Sequence, residues 1–176
     1  MSTLEIDLTK IADLAAERRD EFEVLLYQLQ NDDEIDDVKL DAVVEQIASP
    51  IRQAIDCTQC ANCCRSIEIY IVPEDIPVLA EGTGRTLEEV TTHYVENPDS
   101  ADEMKLKSCP CRLLKGKLCS VYEHRPESCR IYPAFTLEFR WTLENTIQGA
   151  SICPIIYNVL SELVEKVGSL YPVISK

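Results

Sequence analysis

Glycine is scarce in this chain, with five in 176 residues. A backbone that closes around a nucleotide phosphate usually needs several, and neither a phosphate loop nor a GxGxxG stretch is present. The G-x-S-x-G elbow and the His-Glu helix of metalloproteases are missing too. An anion could still sit at a helix N-terminus, so only the glycine-built sites are excluded. No apolar run approaches the roughly 20 residues that span a bilayer. The start, Met1 to Asp7, has neither the basic flank nor the apolar stretch of a secretory signal. The expectation is a soluble, unexported, cytoplasmic protein. Basic residues are outnumbered 17 to 31, for a formal charge of -14. This speaks against nucleic acid, whose binders need clustered Lys and Arg, and against anionic membranes.

What the chain does have is cysteine, nine in all, with 45% hydrophobic residues to build an interior. In a reducing compartment, clustered cysteine points to metal binding or catalysis before disulfides. The count is odd, and the adjacent pair Cys63-Cys64 cannot bridge without strain. The bases are also unevenly spread. Residues 1 to 56 carry 15 acids against 5 bases, whereas residues 101 to 140 carry 5 acids against 8 bases. Cations among the cysteines suit a thiolate site, whose net negative charge they stabilise.

The first fifty residues predict helices: one over Ile11, Leu14, Ala15, Phe22, Leu25, Leu26 and Leu29, another over Leu40, Val43, Val44, Ile47 and Ile51. The acidic stretch Asn31 to Asp37 reads as their connection. This arm holds no Cys or His and is expected to serve packing, self-association or partner contact. Further on, Ile67 to Ile71 alternates like a strand, and residues 74 to 81 predict a short helix stopped at Gly82. Thr86 with Glu89 forms a capping box for a helix reaching His93 and Tyr94. A second strand is expected where Leu137, Phe139, Trp141 and Leu143 alternate with polar residues. A last helix begins at Pro154 and stops at Gly168, its apolar face running from Ile155 to Val167.

The strongest signal is Cys57-Thr58-Gln59-Cys60-Ala61-Asn62-Cys63-Cys64. Two residues between cysteines let a tight turn aim successive sulfurs at one point. One such segment cannot easily close a tetrahedral site, so remote ligands are expected among Cys109, Cys111, Cys119, Cys129 and Cys153. Cys129 lies in a short turn that Pro126 can open and Pro133 must end. Arg65, Arg112, Arg125 and Arg130 are candidates for tuning thiolate charge, foremost Arg125 and Arg130, which flank Cys129. His93 and His124, the only imidazoles, read as partly exposed surface residues.

These motifs resemble the YkgJ-like CxxCxxCC family of zinc- or iron-chelating proteins, related to the flagellin lysine N-methylases. The likeness rests on Cys57 to Cys64, Cys109-Pro110, the run from Cys119 through Arg125-Pro126 and Cys129-Arg130 to Tyr132-Pro133, and Cys153-Pro154. Val121 stands where the family signature has isoleucine, and the likeness covers residues 57 to 154. It implies a metal-ligand set of Cys57, Cys60, Cys63, Cys64, Cys109, Cys119, Cys129 and Cys153. Cys111 departs from the family pattern, where an aromatic is more usual. It is either an extra ligand or an apolar stand-in, and the way thiols pack favours the latter.

Eight thiols suit two zinc ions, one four-iron cluster with thiols to spare, or two clusters. The C-x2-C-x2-C spacing and the two Cys-Pro pairs tilt slightly to iron-sulfur, with zinc close behind and monovalent copper third. The expected fold is α+β, a small cysteine-rich metal-centred domain of short strands and helices (56–176) after an acidic helical arm (1–55). Three functions follow: a metal-binding protein that stores, senses or transfers a metal or cluster; an iron-sulfur enzyme or enzyme subunit acting on protein side chains, as the methylase relation suggests; or a metal-stapled module whose arm docks a partner.

Overall fold

Apolar residues spaced three and four apart fold the first part of the chain into helices, as their periodicity predicts. The computed structural model describes residues 3–32, 36–100, 102–135 and 138–170. In chain order these form α1 (Leu8–Glu17), α2 (Arg19–Gln30), α3 (Asp37–Ala54), α4 (Cys57–Cys60), α5 (Cys63–Ser66), α6 (Asp75–Thr83) and α7 (Leu87–Tyr94). Strands β1 (Val95–Glu96), β2 (Lys105–Leu106), β3 (Leu114–Lys115) and β4 (Leu118–Cys119) follow, then a 3-10 turn (Tyr122–His124), α8 (Glu127–Ile131), α9 (Phe139–Gly149) and α10 (Pro154–Leu170). The fold is α+β. Two compact units share these elements: residues 1–56 with 133–176, and residues 57–132.

The first unit is helical. The helix expected over residues 11 to 29 is two, α1 and α2, broken at Arg18, which leaves helical geometry (φ -95°, ψ 7°). Phe22, Leu25 and Leu29 of α2, Leu40, Val44, Ile47 and Ile51 of α3, and Ile155, Ile156, Val159, Leu160 and Leu163 of α10 are all buried. Each such side chain contributes about 1.5–3 kcal/mol when taken out of water. The helix α10 runs through Gly168, since one glycine costs a helix only about 1 kcal/mol. The connection between α2 and α3 is tied by Arg140 of α9, which is buried and donates to the carbonyls of Leu29 and Asp32 and to the Asp37 carboxylate.

The strand expected around Phe139 is instead the helix α9. Besides Arg140, its buried positions are Phe139, Leu143 and Thr146, while Trp141 is 60% exposed. Packing against α2 and α3 selects this stripe over the alternating one. The Asp41 carboxylate takes the amides of Glu138 and Phe139, capping the helix start. Leu137, part of that expected strand, lies outside the described residues. The sequence division at 55/56 puts the last helix with the cysteines. In the structure α9 and α10 pack on α1, α2 and α3, because their apolar stripes match those of the arm.

In the second unit the extended segment 69–71 pairs with β2: Leu106 N donates to Ile69 O (2.8 Å) and Ile71 N to Met104 O (3.0 Å). This is the alternating stretch expected as a strand, with Ile71 buried and Glu68 and Tyr70 exposed. β1 pairs antiparallel with β2, and β3 with β4. Beneath lie Leu79, Val90, Val95, Met104, Leu106, Leu113 and Val121. The capping box of Thr86 and Glu89 forms as expected. The stop at Gly82 does not. α6 ends at Gly84, whose φ of 65° no other residue type adopts as readily. Gly82 sits inside the helix, where a Cβ would stand 2.6 Å from His124 Cβ.

Candidate metal centre

The CxxCxxCC stretch folds as two single turns. Cys57 and Cys60 bracket α4, Cys63 and Cys64 open α5, and Ala61 between them takes a left-handed conformation (φ 54°) that reverses the chain. Arg65 holds this loop in place, its guanidinium donating to Cys60 O (3.0 Å) and to Gly116 O (2.9 Å) in the β3–β4 hairpin. Cys109 Sγ donates to Arg65 O (3.1 Å), and Cys111 N donates to Cys64 O (2.8 Å). Two cysteine-bearing stretches far apart in sequence are thus bonded to one another.

Four thiols from four places bear on one another electrostatically: Cys64 from α5, Cys111 from the turn before β3, Cys119 from β4 and Cys129 from α8. Cys111 stands within electrostatic reach of Cys64 and Cys119, Cys119 within that of Cys64, and Cys129 within that of all three. Cys63 Sγ lies 4.0 Å from Cys64 Sγ. Cys57 and Cys109 are exposed and Cys60 half-buried. Cys153 belongs to the first unit, buried at the start of α10, with its amide on Gly149 O (2.9 Å).

The local field separates these thiols. The contact with Cys63, aided by the Arg125 and Arg65 charges, holds the Cys64 thiol down at about 6 against burial. Burial raises Cys111 and Cys119. It pushes Cys129 up to about 12, with negative charge on Cys64, Cys111 and Cys119 acting the same way. Arg125 supplies positive charge to Cys64, Cys119 and Cys129. Its guanidinium lies 3.6 Å over the Tyr122 ring, and its Nε donates to Tyr122 O (2.7 Å). Arg130 donates to Arg125 O (2.7 Å), supporting that residue from behind. Arg112 donates to His93 O (3.1 Å), and His124 Nε2 stands 3.7 Å from the Glu81 carboxylate.

Among the described residues, no three Cys, His, Asp or Glu side chains stand close enough together to grip an ion as placed. The four thiols are neighbours rather than a closed cage. Their chemistry suits a thiophilic centre: sulfur donors, partial burial, and cations beside them to balance thiolate charge. One residue that bears on the site is not singled out by sequence reasoning. Asp75, at the start of α6, is buried with a bond to α8; its only sequence signal is an acid near a helix start.

Residues 56–154 match the family model CxxCxxCC, described as a putative zinc- or iron-chelating domain. The match takes in the four-thiol neighbourhood and Cys153. Comparison with curated proteins and with solved structures returns no match. No helix among the described residues is long and apolar enough to cross a membrane.

Proposed function

This chain belongs to the CxxCxxCC family, and on that footing we propose that it is a metal-binding protein that holds zinc or an iron-sulfur centre for storage, sensing or transfer, with Cys64, Cys111, Cys119 and Cys129 as the inner ligand set. The observation that carries this reading is that Cys111 is hydrogen-bonded through its backbone to Cys64 (2.8 Å), with Cys119 and Cys129 within electrostatic reach of both, in a chain whose sequence separates the four widely. Four thiolates are the donor set of structural zinc and of iron-sulfur clusters alike. Bound there, the metal supplies fixed positive charge in exchange for thiol protons. Arg125 offsets the net negative charge that remains, and Arg65 keeps the Cys64 loop against the hairpin. Cys57, Cys60, Cys63 and Cys109 form the pool from which a second centre would draw. The spacing of the early cysteines tilts the choice of metal slightly toward iron-sulfur.

Anaerobic purification followed by elemental analysis and an absorption spectrum tests this. Zinc or iron is expected in stoichiometric amount, colourless in the first case and brown in the second. Serine at any of the four inner positions should lower the metal content. A native protein that retains neither element, and takes up neither on reconstitution, would overturn the reading.

A further inference from the structure

Among the described residues, Asp75 is one of two buried charged side chains, 4% exposed, yet no metal role falls to it and no cation is needed to explain it. Both of its carboxylate oxygens are used by backbone. Oδ2 accepts from Val72 N (3.1 Å), closing the turn that leads from the extended segment 69–71 into α6. Oδ1 accepts from Glu127 N (3.0 Å), the first amide of α8, fifty-two residues further along the chain. α8 needs such a partner. Its cap position is Pro126, which offers no side-chain hydrogen bond, and the first amides of a helix have no acceptor within it. A carboxylate here also complements the positive end of the turn. The next residue is tied down as well, with Ser128 Oγ donating to Tyr70 O (2.8 Å). Immediately after these two bonds comes Cys129.

We propose that Asp75 is a positioning residue for Cys129: by taking the Glu127 amide from α6, its carboxylate fixes the single helical turn that presents the Cys129 thiol to Cys64, Cys111 and Cys119. The inference rests on the chelation reading above. It assigns to a residue outside the cysteine motifs the placing of one ligand, which spacing alone cannot do because α8 lacks a cap of its own.

The test is a cobalt(II) titration of the reduced, metal-stripped full chain, since cobalt enters sulfur sites of this kind and its thiolate charge-transfer absorbance counts the sulfurs bound. The native protein should show a four-thiolate spectrum and Cys129→Ser a three-thiolate one. Asp75→Ala is expected to give the three-thiolate spectrum with all nine cysteines present, and cobalt binding weaker by about 10–100-fold, the usual effect of losing a group that orients a ligand. Asp75→Asn keeps one carbonyl acceptor and should fall between the two. Leu79→Ala, which opens the core of the same unit but removes neither hydrogen bond of Asp75, should melt earlier yet keep the native spectrum. An Asp75→Ala protein with the native spectrum and affinity sinks the proposal, and so does a Leu79→Ala protein that loses the same sulfur. If instead the native chain binds no cobalt, the chelation reading falls and this inference with it.

Discussion

Two glycines two residues apart, one inside α6 and one capping it, have opposite reasons for being glycine. Gly84 is needed for its conformation, a left-handed φ with nothing within 4 Å of its missing Cβ. Gly82 is needed for its size, because His124 Cβ and Cγ and Val121 Cβ crowd the place a side chain would occupy. Gly84→Ala should cost about 1–2 kcal/mol through strain alone. Gly82→Ala should cost about 1–3 kcal/mol through overpacking, and it should also loosen the 3-10 turn that precedes Arg125. Urea midpoints of the two variants measure both. Sequence reading sees two glycines and takes the first for the helix stop, since nothing local reports that a distant histidine lies against it. At the site, the arginines separate likewise. Arg125→Gln should weaken metal binding about tenfold with ligand number unchanged, and more than Arg130→Gln, because the Arg125 charge bears on Cys64, Cys119 and Cys129 whereas Arg130 donates to the Arg125 carbonyl. Competition against a chelator gives the two affinities.

At the scale of elements, α9 decides between two patterns that coexist in one stretch. Phe139, Trp141 and Leu143 alternate as a strand would, and Phe139, Leu143 and Thr146 recur as a helix would. The helix wins because α2 and α3 offer a surface to the second set and the Asp41 carboxylate secures its first amides. Leu143→Ala should therefore cost about 2–5 kcal/mol, while Trp141→Ala should cost less than about 1 kcal/mol, its ring being 60% exposed. In a strand the two would share a face and fail together. The capping box at Thr86, the turn between Pro126 and Pro133, and the helices of the arm are legible in the sequence because their signals are local. Packing partners are not local, and with them went the break at Arg18 and the run of α10 beyond Gly168.

Over the whole molecule, the cysteine spacing made the early cluster legible as a tight turn, while the family pattern and the packing of thiols ranked Cys111 as an apolar stand-in, and Cys111 does pack against the apolar cluster of the second unit. The structure places Cys111 beside Cys64 through a backbone hydrogen bond, a contact between residues 47 positions apart that no spacing rule anticipates. The two units also differ in what their interiors are made of. Helices α2, α3 and α10 bury a continuous hydrocarbon core, whereas residues 57–132 have short elements, strands of two residues and a smaller apolar cluster. Metal binding contributes on the order of 10 kcal/mol to small thiolate domains. Stripping the metal is accordingly expected to raise amide exchange through residues 57–132 and to leave α2, α3 and α10 protected, as hydrogen-exchange mass spectrometry would show.

The four inner thiols sit on α5, on the turn before β3, on β4 and on α8, one to each. A single ion gripped by all of them would knot four stretches of polypeptide at one point, as a drawstring gathers cloth. With the string drawn out, those stretches are the ones a protease should nick first, so the lifetime of the chain in a cell would follow the supply of its metal.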